Sequence, residues 1–158
     1  MRVCTYLTLT APEVEGEVSQ TLHTIVLNTG QHFTKKLLVR HLRVGPYANR
    51  DDEVLATWRS GIAAVARCPN VYMKLGGLGM PRTGFDWHTR SKPVGSEELA
   101  ASMAPLLTYC IEQFGPNRCM FESNFPVDKV SFSYNVMYNA FKRFSKGYSA
   151  AERAADVP

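Results

Sequence analysis

Three five-residue stretches of this chain are mostly apolar and too short to be helices. They are Thr24-Ile-Val-Leu-Asn28, Val71-Tyr-Met-Lys-Leu75 and Cys119-Met-Phe-Glu-Ser123, and turn formers follow them at Thr29-Gly30, Gly76-Gly77 and Asn124-Phe-Pro126. Runs of this kind suit a parallel sheet covered on both faces. Their starts near Ile25, Val71 and Cys119 lie 46 and 48 residues apart (71 − 25 and 119 − 71). With no hairpin signal between them, that spacing predicts parallel βα units with right-handed crossovers. Val71–Leu75 is then the middle strand.

The intervening segments carry helical periodicity. Val54, Trp58, Ile62 and Val65 share one face behind Asp51-Asp52, whose charges suit a helix start. Leu99, Met103, Leu106, Leu107, Cys110, Ile111 and Phe114 form a wide apolar face, with Ser96 as the expected cap and Gly115-Pro116 as the stop. Tyr134, Met137, Tyr138, Phe141 and Phe144 predict a third helix ending by Gly147. Ser149-Ala-Ala-Glu152 has the form of a capping box for a fourth. Arg2–Thr10 reads as a candidate strand, Glu13–Gln20 as a poor helix or a loop, and Met80–Val94 as a long loop.

Composition narrows this little. The 158 residues fit one α/β domain, yet a complete (β/α)₈ barrel needs about 250. Hydrophobic content of 45%, charged content of 20% and a net charge of +4 are those of an ordinary globular protein. Cys4, Cys68, Cys110 and Cys119 show no metal-ligand spacing and read as structural thiols of a reducing compartment. With no apolar run near ~20 residues and no signal-peptide pattern at Met1–Thr10, the expected location is cytoplasmic, with no membrane partner. The basic run His32–Arg43 has two readings, a phosphate- or nucleic-acid-binding patch and a solvated helix or loop. No aromatic stacking pattern accompanies the charge, so a nucleic-acid partner is not expected.

Candidate chemistry follows from side-chain alternation. Met120, Glu122 and Asn124 fall on one face of the third strand, and Cys119, Phe121 and Ser123 on the other. A lone Lys74 in mid-strand would be costly, so it lies at an open edge or pairs with a carboxylate, and Glu122 on the next strand is the obvious partner. Glu122 is either that structural partner or an acid–base group. In the 80–94 loop, Arg82 and Arg90 could hold a substrate carboxylate, His88 could carry protons and Trp87 could wall the site, with Asp86 beside them. The plainer reading is a solvated loop. Asp128 reads as a first-turn residue of the following helix.

Phe121-Glu-Ser-Asn-Phe-Pro-Val-Asp128 resembles the end of the last barrel strand in the amidohydrolase-related family. Asn70-Val-Tyr-Met-Lys-Leu-Gly-Gly-Leu-Gly-Met-Pro81 resembles its seventh strand, and Thr24–Asn28 with Gly30 its sixth. The resemblance implies a partial TIM barrel of about three or four parallel βα units. On that reading residues 22–158 are the C-terminal portion of an amidohydrolase-type barrel and residues 1–21 a separate N-terminal segment. It implies a lactonase-like hydrolase acting on a small lactone, amide or related carboxylated substrate through an activated water. Catalytic candidates are Glu122, Asn124 and His88; substrate-binding candidates are Arg82, Asp86, Trp87, Arg90 and Asn28.

The sequence departs from the family pattern at three places. The histidine that relatives carry after the sixth-strand asparagine is replaced by Thr29-Gly30, and Asn124 stands where relatives carry an aspartate that binds metal or carries a proton. His23, His32, His41 and His88 form no His-x-His pair. Full-length relatives use a divalent metal; in this chain no metal and no other cofactor is expected. Whether the chain is an enzyme is therefore open. The alternative is a truncated, inactive fragment that acts as a structural or interaction protein. A partial barrel also leaves its inner face uncovered, so self-association is expected.

Overall fold

The structure, a computed structural model, describes residues 25–28 and 51–155. The expectations for Arg2–Thr10, Glu13–Gln20 and His32–Arg43 lie outside the described residues. Among the described residues three strands, β1 (Ile25–Asn28), β2 (Val71–Leu75) and β3 (Cys119–Phe121), form one parallel sheet in the order β1-β2-β3. The register sets Asn28 beside Lys74, and Lys74 beside Met120. This is the pairing that the strand spacing predicts.

Among the described residues four helices accompany the sheet: α1 (Asp51–Ala66), α2 (Ser96–Phe114), α3 (Tyr134–Phe144) and α4 (Ala150–Ala155). The core lies on one side of β2, where Val71, Met73 and Leu75 are fully buried with Trp58, Ile62 and Val65 of α1 and Leu99, Met103 and Leu107 of α2. Met73 and Leu75 are thus helix-facing, and the half-buried Tyr72 and Lys74 alternate with them. Tyr109 of α2 donates to the Arg59 carbonyl of α1 at 3.0 Å, and Arg143 of α3 donates to Ser96 of α2 at 3.1 Å.

Several local expectations change. Ser96 opens α2 as its first residue, and Gly95 in extended backbone is the N-cap, with no side-chain bond. The 80–94 segment is not a solvated loop throughout: it holds two 3₁₀ turns, Pro81–Thr83 and Trp87–Thr89, and buries Trp87 against Phe85 and Phe132. A 3₁₀ turn, Val127–Val130, separates β3 from α3, and Ser133 caps α3 by accepting from the Val136 N–H at 3.3 Å. The Ser149–Glu152 capping box forms as read, with the Ser149 N–H donating to Glu152 at 2.8 Å and the Glu152 N–H to Ser149 Oγ at 3.3 Å. Pro105 sits inside α2, its ring exposed like Ala101 one turn earlier.

Arg118, just before β3, ties the amino ends of the strands to the helices that precede them. Its guanidinium donates to the carbonyls of Ala66 (2.8 Å), Cys68 (2.9 Å), Val71 (3.3 Å) and Phe114 (3.0 Å). Ala66 and Phe114 are the last residues of α1 and α2, so one cation satisfies carbonyls that helix ends leave without partners. Cys68, Cys110 and Cys119 are buried thiols in no disulfide, and burial pushes the Cys68 and Cys110 thiols up.

Candidate active site

At the carboxyl ends of β2 and β3 the pattern turns polar. Lys74 leaves the helix-covered face, and its Nζ lies 2.6 Å from Glu122 Oε2. The partner expected from the sequence is the one found. Glu122 follows β3 and is held in place by the backbone: its N–H donates to the Leu75 carbonyl at 3.2 Å. A Cβ on Gly76 would meet the Glu122 carbonyl oxygen at 2.3 Å, so only glycine permits this approach. The second carboxylate oxygen, Oε1, is buried and has no hydrogen-bond partner in the structure.

The next residues turn sharply. Asn124 has φ 48°, in the left-handed region where asparagine is among the few tolerated side chains, and the Phe125–Pro126 bond is cis. The 3₁₀ turn then carries the chain back on itself, with the Asp128 N–H donating to the Asn124 carbonyl at 3.3 Å. Asp128 is thereby completely buried instead of standing on a helix surface. Asn124 Nδ2 donates to Asp128 Oδ1 at 2.8 Å, and the Gly79 N–H donates to the same carboxyl group. Asp128 Oδ2 is buried without a partner. Gly79 has no room for a side chain, since a Cβ there would lie 2.7 Å from Asp128 Cβ and 2.7 Å from Phe132 Cζ. Burial pushes the Asp128 carboxyl up to about 6; the Asn124 and Gly79 hydrogen bonds oppose this, and the neighbouring Glu122 charge adds to it.

An aromatic row flanks these carboxylates. Phe125 meets Tyr134 edge-on at 5.3 Å between centroids, and Tyr134 lies 4.5 Å from Tyr138. The hydrogen bond that Tyr138 makes with Tyr134 raises its phenol, with burial and the Glu122 charge acting in the same direction. On the other side, Phe132 touches both Trp87 and the Gly79–Asp128 approach, so the 80–94 segment reaches this cluster through Phe132.

Of the residues singled out from sequence, Glu122 and Asn124 come together here, joined by Lys74, Gly79 and Asp128. Asn28 is in register with Lys74. Trp87 is a core residue, Asp86 is half-buried with φ 54°, and His88 is exposed. Arg90 is exposed and ion-paired with Glu98 at 2.5 Å. It borders an open cavity of about 810 Å³ with Lys92, Pro93, Gly95 and Glu97, which contains no member of the carboxylate cluster. Arg82 lies in the first 3₁₀ turn of the segment. Asp128 is the residue that sequence reading missed. The available signal was Asn124-Phe-Pro126, a turn tight enough to fold a residue four positions on back under the strand end.

The donor set of these residues does not fit a divalent hydrolytic centre. Such a centre needs three converging N or O ligands, and among the described residues no three His, Cys, Asp or Glu side chains converge. Glu122 and Asp128 supply two, and the Lys74 ammonium already stands at one Glu122 oxygen.

Residues 17–155 match the Amidohydrolase family. The chain belongs to that family. Two sequence relatives are an uncharacterized protein, y4mH, of Sinorhizobium fredii, 40% identical over 98 residues, and L-fucono-1,5-lactonase of Burkholderia multivorans, 34% identical over 108. These alignments cover 62% and 68% of this chain but only 29% and 34% of the relatives. Two crystal structures of a Burkholderia multivorans amidohydrolase, one with bound HEPES and one with bound zinc, superpose with TM-scores of 0.68 and 0.66 at 28% and 27% identity. The superpositions cover 92% of this chain and 45% of those chains. The chain therefore spans about half the length of the solved relatives and about a third of the curated ones.

Proposed function

We propose that this chain is a sector of a TIM-type amidohydrolase barrel, built from three or four parallel βα units, and that its strand-end cluster serves hydrolysis of a small lactone or related carboxylated substrate by an activated water. The observation that carries this reading is Glu122. Lys74 fixes one of its oxygens, and the other is buried and uncommitted at the carboxyl end of β3. In barrels of parallel strands that end is where chemistry is placed. A carboxylate held this way takes a proton from water as the water oxygen bonds to the lactone carbonyl carbon. The ring C–O bond then breaks, its oxygen takes up a proton, and the product is a hydroxy acid. Similarity to a protein named as a lactonase supports lactones as the first substrates to try.

The test is a pH-stat assay of the purified chain against a panel of 1,4- and 1,5-lactones, with spontaneous hydrolysis subtracted. Turnover that disappears in Glu122→Gln supports the reading. A folded chain with no turnover overturns it and leaves the inactive structural fragment in its place. Elemental analysis after dialysis belongs beside the assay: the expected result is well under one zinc or manganese per chain.

A further inference from the structure

Two phenols of α3 hydrogen-bond to each other and to no other group among the described residues. Tyr134 and Tyr138 lie one helical turn apart, with ring centroids 4.5 Å from each other. Each hydroxyl carries one proton and two lone pairs. The mutual bond uses one of the two protons, so the pair keeps one donor that has no acceptor among the described residues. Hydroxyls rotate, so either end can supply it. The mutual bond, burial and the Glu122 charge all hold the Tyr138 proton in place.

Ring contacts fix where this donor stands. Phe125 meets Tyr134 edge-on at 5.3 Å, Tyr138 meets Phe141 edge-on at 5.9 Å, and Phe141 stacks on Phe121 of β3 at 4.6 Å. The pair therefore runs from solvent to the strand end: Tyr134 is 49% exposed, and Tyr138 is half-buried within reach of the Glu122 charge. Val127 and Val130, 51% and 57% exposed, extend it as an apolar rim. Among the described residues these two and Tyr134 are the exposed large hydrophobic side chains, and all three fall within residues 127–134. Apolar side chains gathered in one exposed place mark a binding surface, and here that place adjoins the carboxylate cluster.

The geometry points to the Tyr134–Tyr138 pair as the hydrogen-bond donor for the substrate's carbonyl oxygen, with Val127 and Val130 supporting the apolar side of a substituted ring. As the water oxygen bonds to the carbonyl carbon and Glu122 takes the water's proton, the C=O π electrons move onto the carbonyl oxygen. The free phenol O–H donates to that charge, and no proton leaves the phenols. A donor that also accepts from a second hydroxyl is strengthened by it, and donors fixed in advance at a developing oxyanion are among the largest contributions to acyl transfer. That catalytic use rests on the hydrolytic reading above; binding of a carbonyl-bearing apolar ring does not.

NMR titration of the full chain with 6-phenyl-2-piperidone, a lactam that presents the carbonyl and resists hydrolysis, tests the binding without turnover. The amides of Val127, Val130 and Tyr134 should shift, and the double variant Tyr134→Phe, Tyr138→Phe, which keeps both rings, should bind about tenfold more weakly. No binding, shifts elsewhere or equal affinity overturns the proposal. A dimer in light scattering that Val130→Asp splits, with no lactam bound, gives the rim to a second copy and also overturns it. In turnover the double variant should lower kcat about a hundredfold with a much smaller change in KM; unchanged kcat overturns the catalytic part. If the lactam binds but no lactone is hydrolysed, the hydrolytic reading fails and the binding inference stands. If the double variant does not fold, Tyr134→Phe alone, at the exposed end of the pair, should weaken the lactam about threefold and decides it.

Discussion

The two ends of β2 and β3 both enclose charge, and they treat it in opposite ways. At the amino end Arg118 makes four hydrogen bonds to backbone carbonyls and closes two helices. At the carboxyl end Glu122 and Asp128 each keep one buried oxygen with no partner. Completed hydrogen bonding fixes a structure, and bonding left incomplete at a positioned group is capacity for a ligand. The same strands thus have an end whose hydrogen bonding is complete and an end that, on the proposed reading, is the chemical one, as in parallel barrels.

The comparison breaks most visibly at the amino end. Arg118→Ala should cost about 3 kcal/mol, since charge-assisted bonds to otherwise unpaired carbonyls are lost together. Urea unfolding measures it, and Arg118→Lys should recover only a minor part, because an ammonium cannot reproduce the fork. A loss under about 1 kcal/mol would show that the carbonyls are equally well served by water.

At the chemical end the expected signature is a pH dependence of opposite sense to that of most carboxylates. Asp128 has its folded-state value raised to about 6 from 3.8. Its contribution is fully present below about pH 4 and is lost as the pH rises through about 6, up to about 3 kcal/mol in all. Asp128→Asn removes that dependence, so the variant should gain on the wild type between about pH 4 and 7 in thermal melts. Parallel curves for the two proteins would mean that the carboxyl is not strained by burial.

Packing between the two ends comes next. Gly79→Ala forces a methyl group against Asp128 and Phe132 and should cost about 2 kcal/mol in urea unfolding. The smallest effect belongs to the ion pair: a double-mutant cycle of Lys74→Met and Glu122→Gln should give a coupling of about 1 kcal/mol, because the two side chains remain 28% and 13% exposed.

What could be read in the sequence follows the same division. The alternation around Val71, Met73 and Leu75 is set by burial under helices, and hydrophobic pattern reports burial directly. Lys74 and Glu122 were legible as a pair because a charge in mid-strand demands a partner on the neighbouring strand. Asp128 was not, since an acidic residue after a proline reads locally as a helix start. Only the left-handed backbone at Asn124 and the 3₁₀ turn beyond it bring that carboxyl inside. Trp87 was misplaced for a related reason: a mostly polar segment with two aromatics reads as loop until their stacking on each other and on Phe132 is known. Ser96 yielded the cap of α2 to Gly95, and its hydroxyl receives Arg143 instead.

Pro105 divides α2 in a way that an isotope clock can read. The ring has no amide proton and leaves the carbonyl one turn before it, that of Ala101, without its usual donor. Both residues face solvent, where water can serve that carbonyl at little cost. In deuterium the half from Thr108 to Phe114, anchored by Arg118, should hold its protons longest. The half from Ser96 to Ala104 should exchange sooner, as a separate unit that can open while the strand ends stay closed.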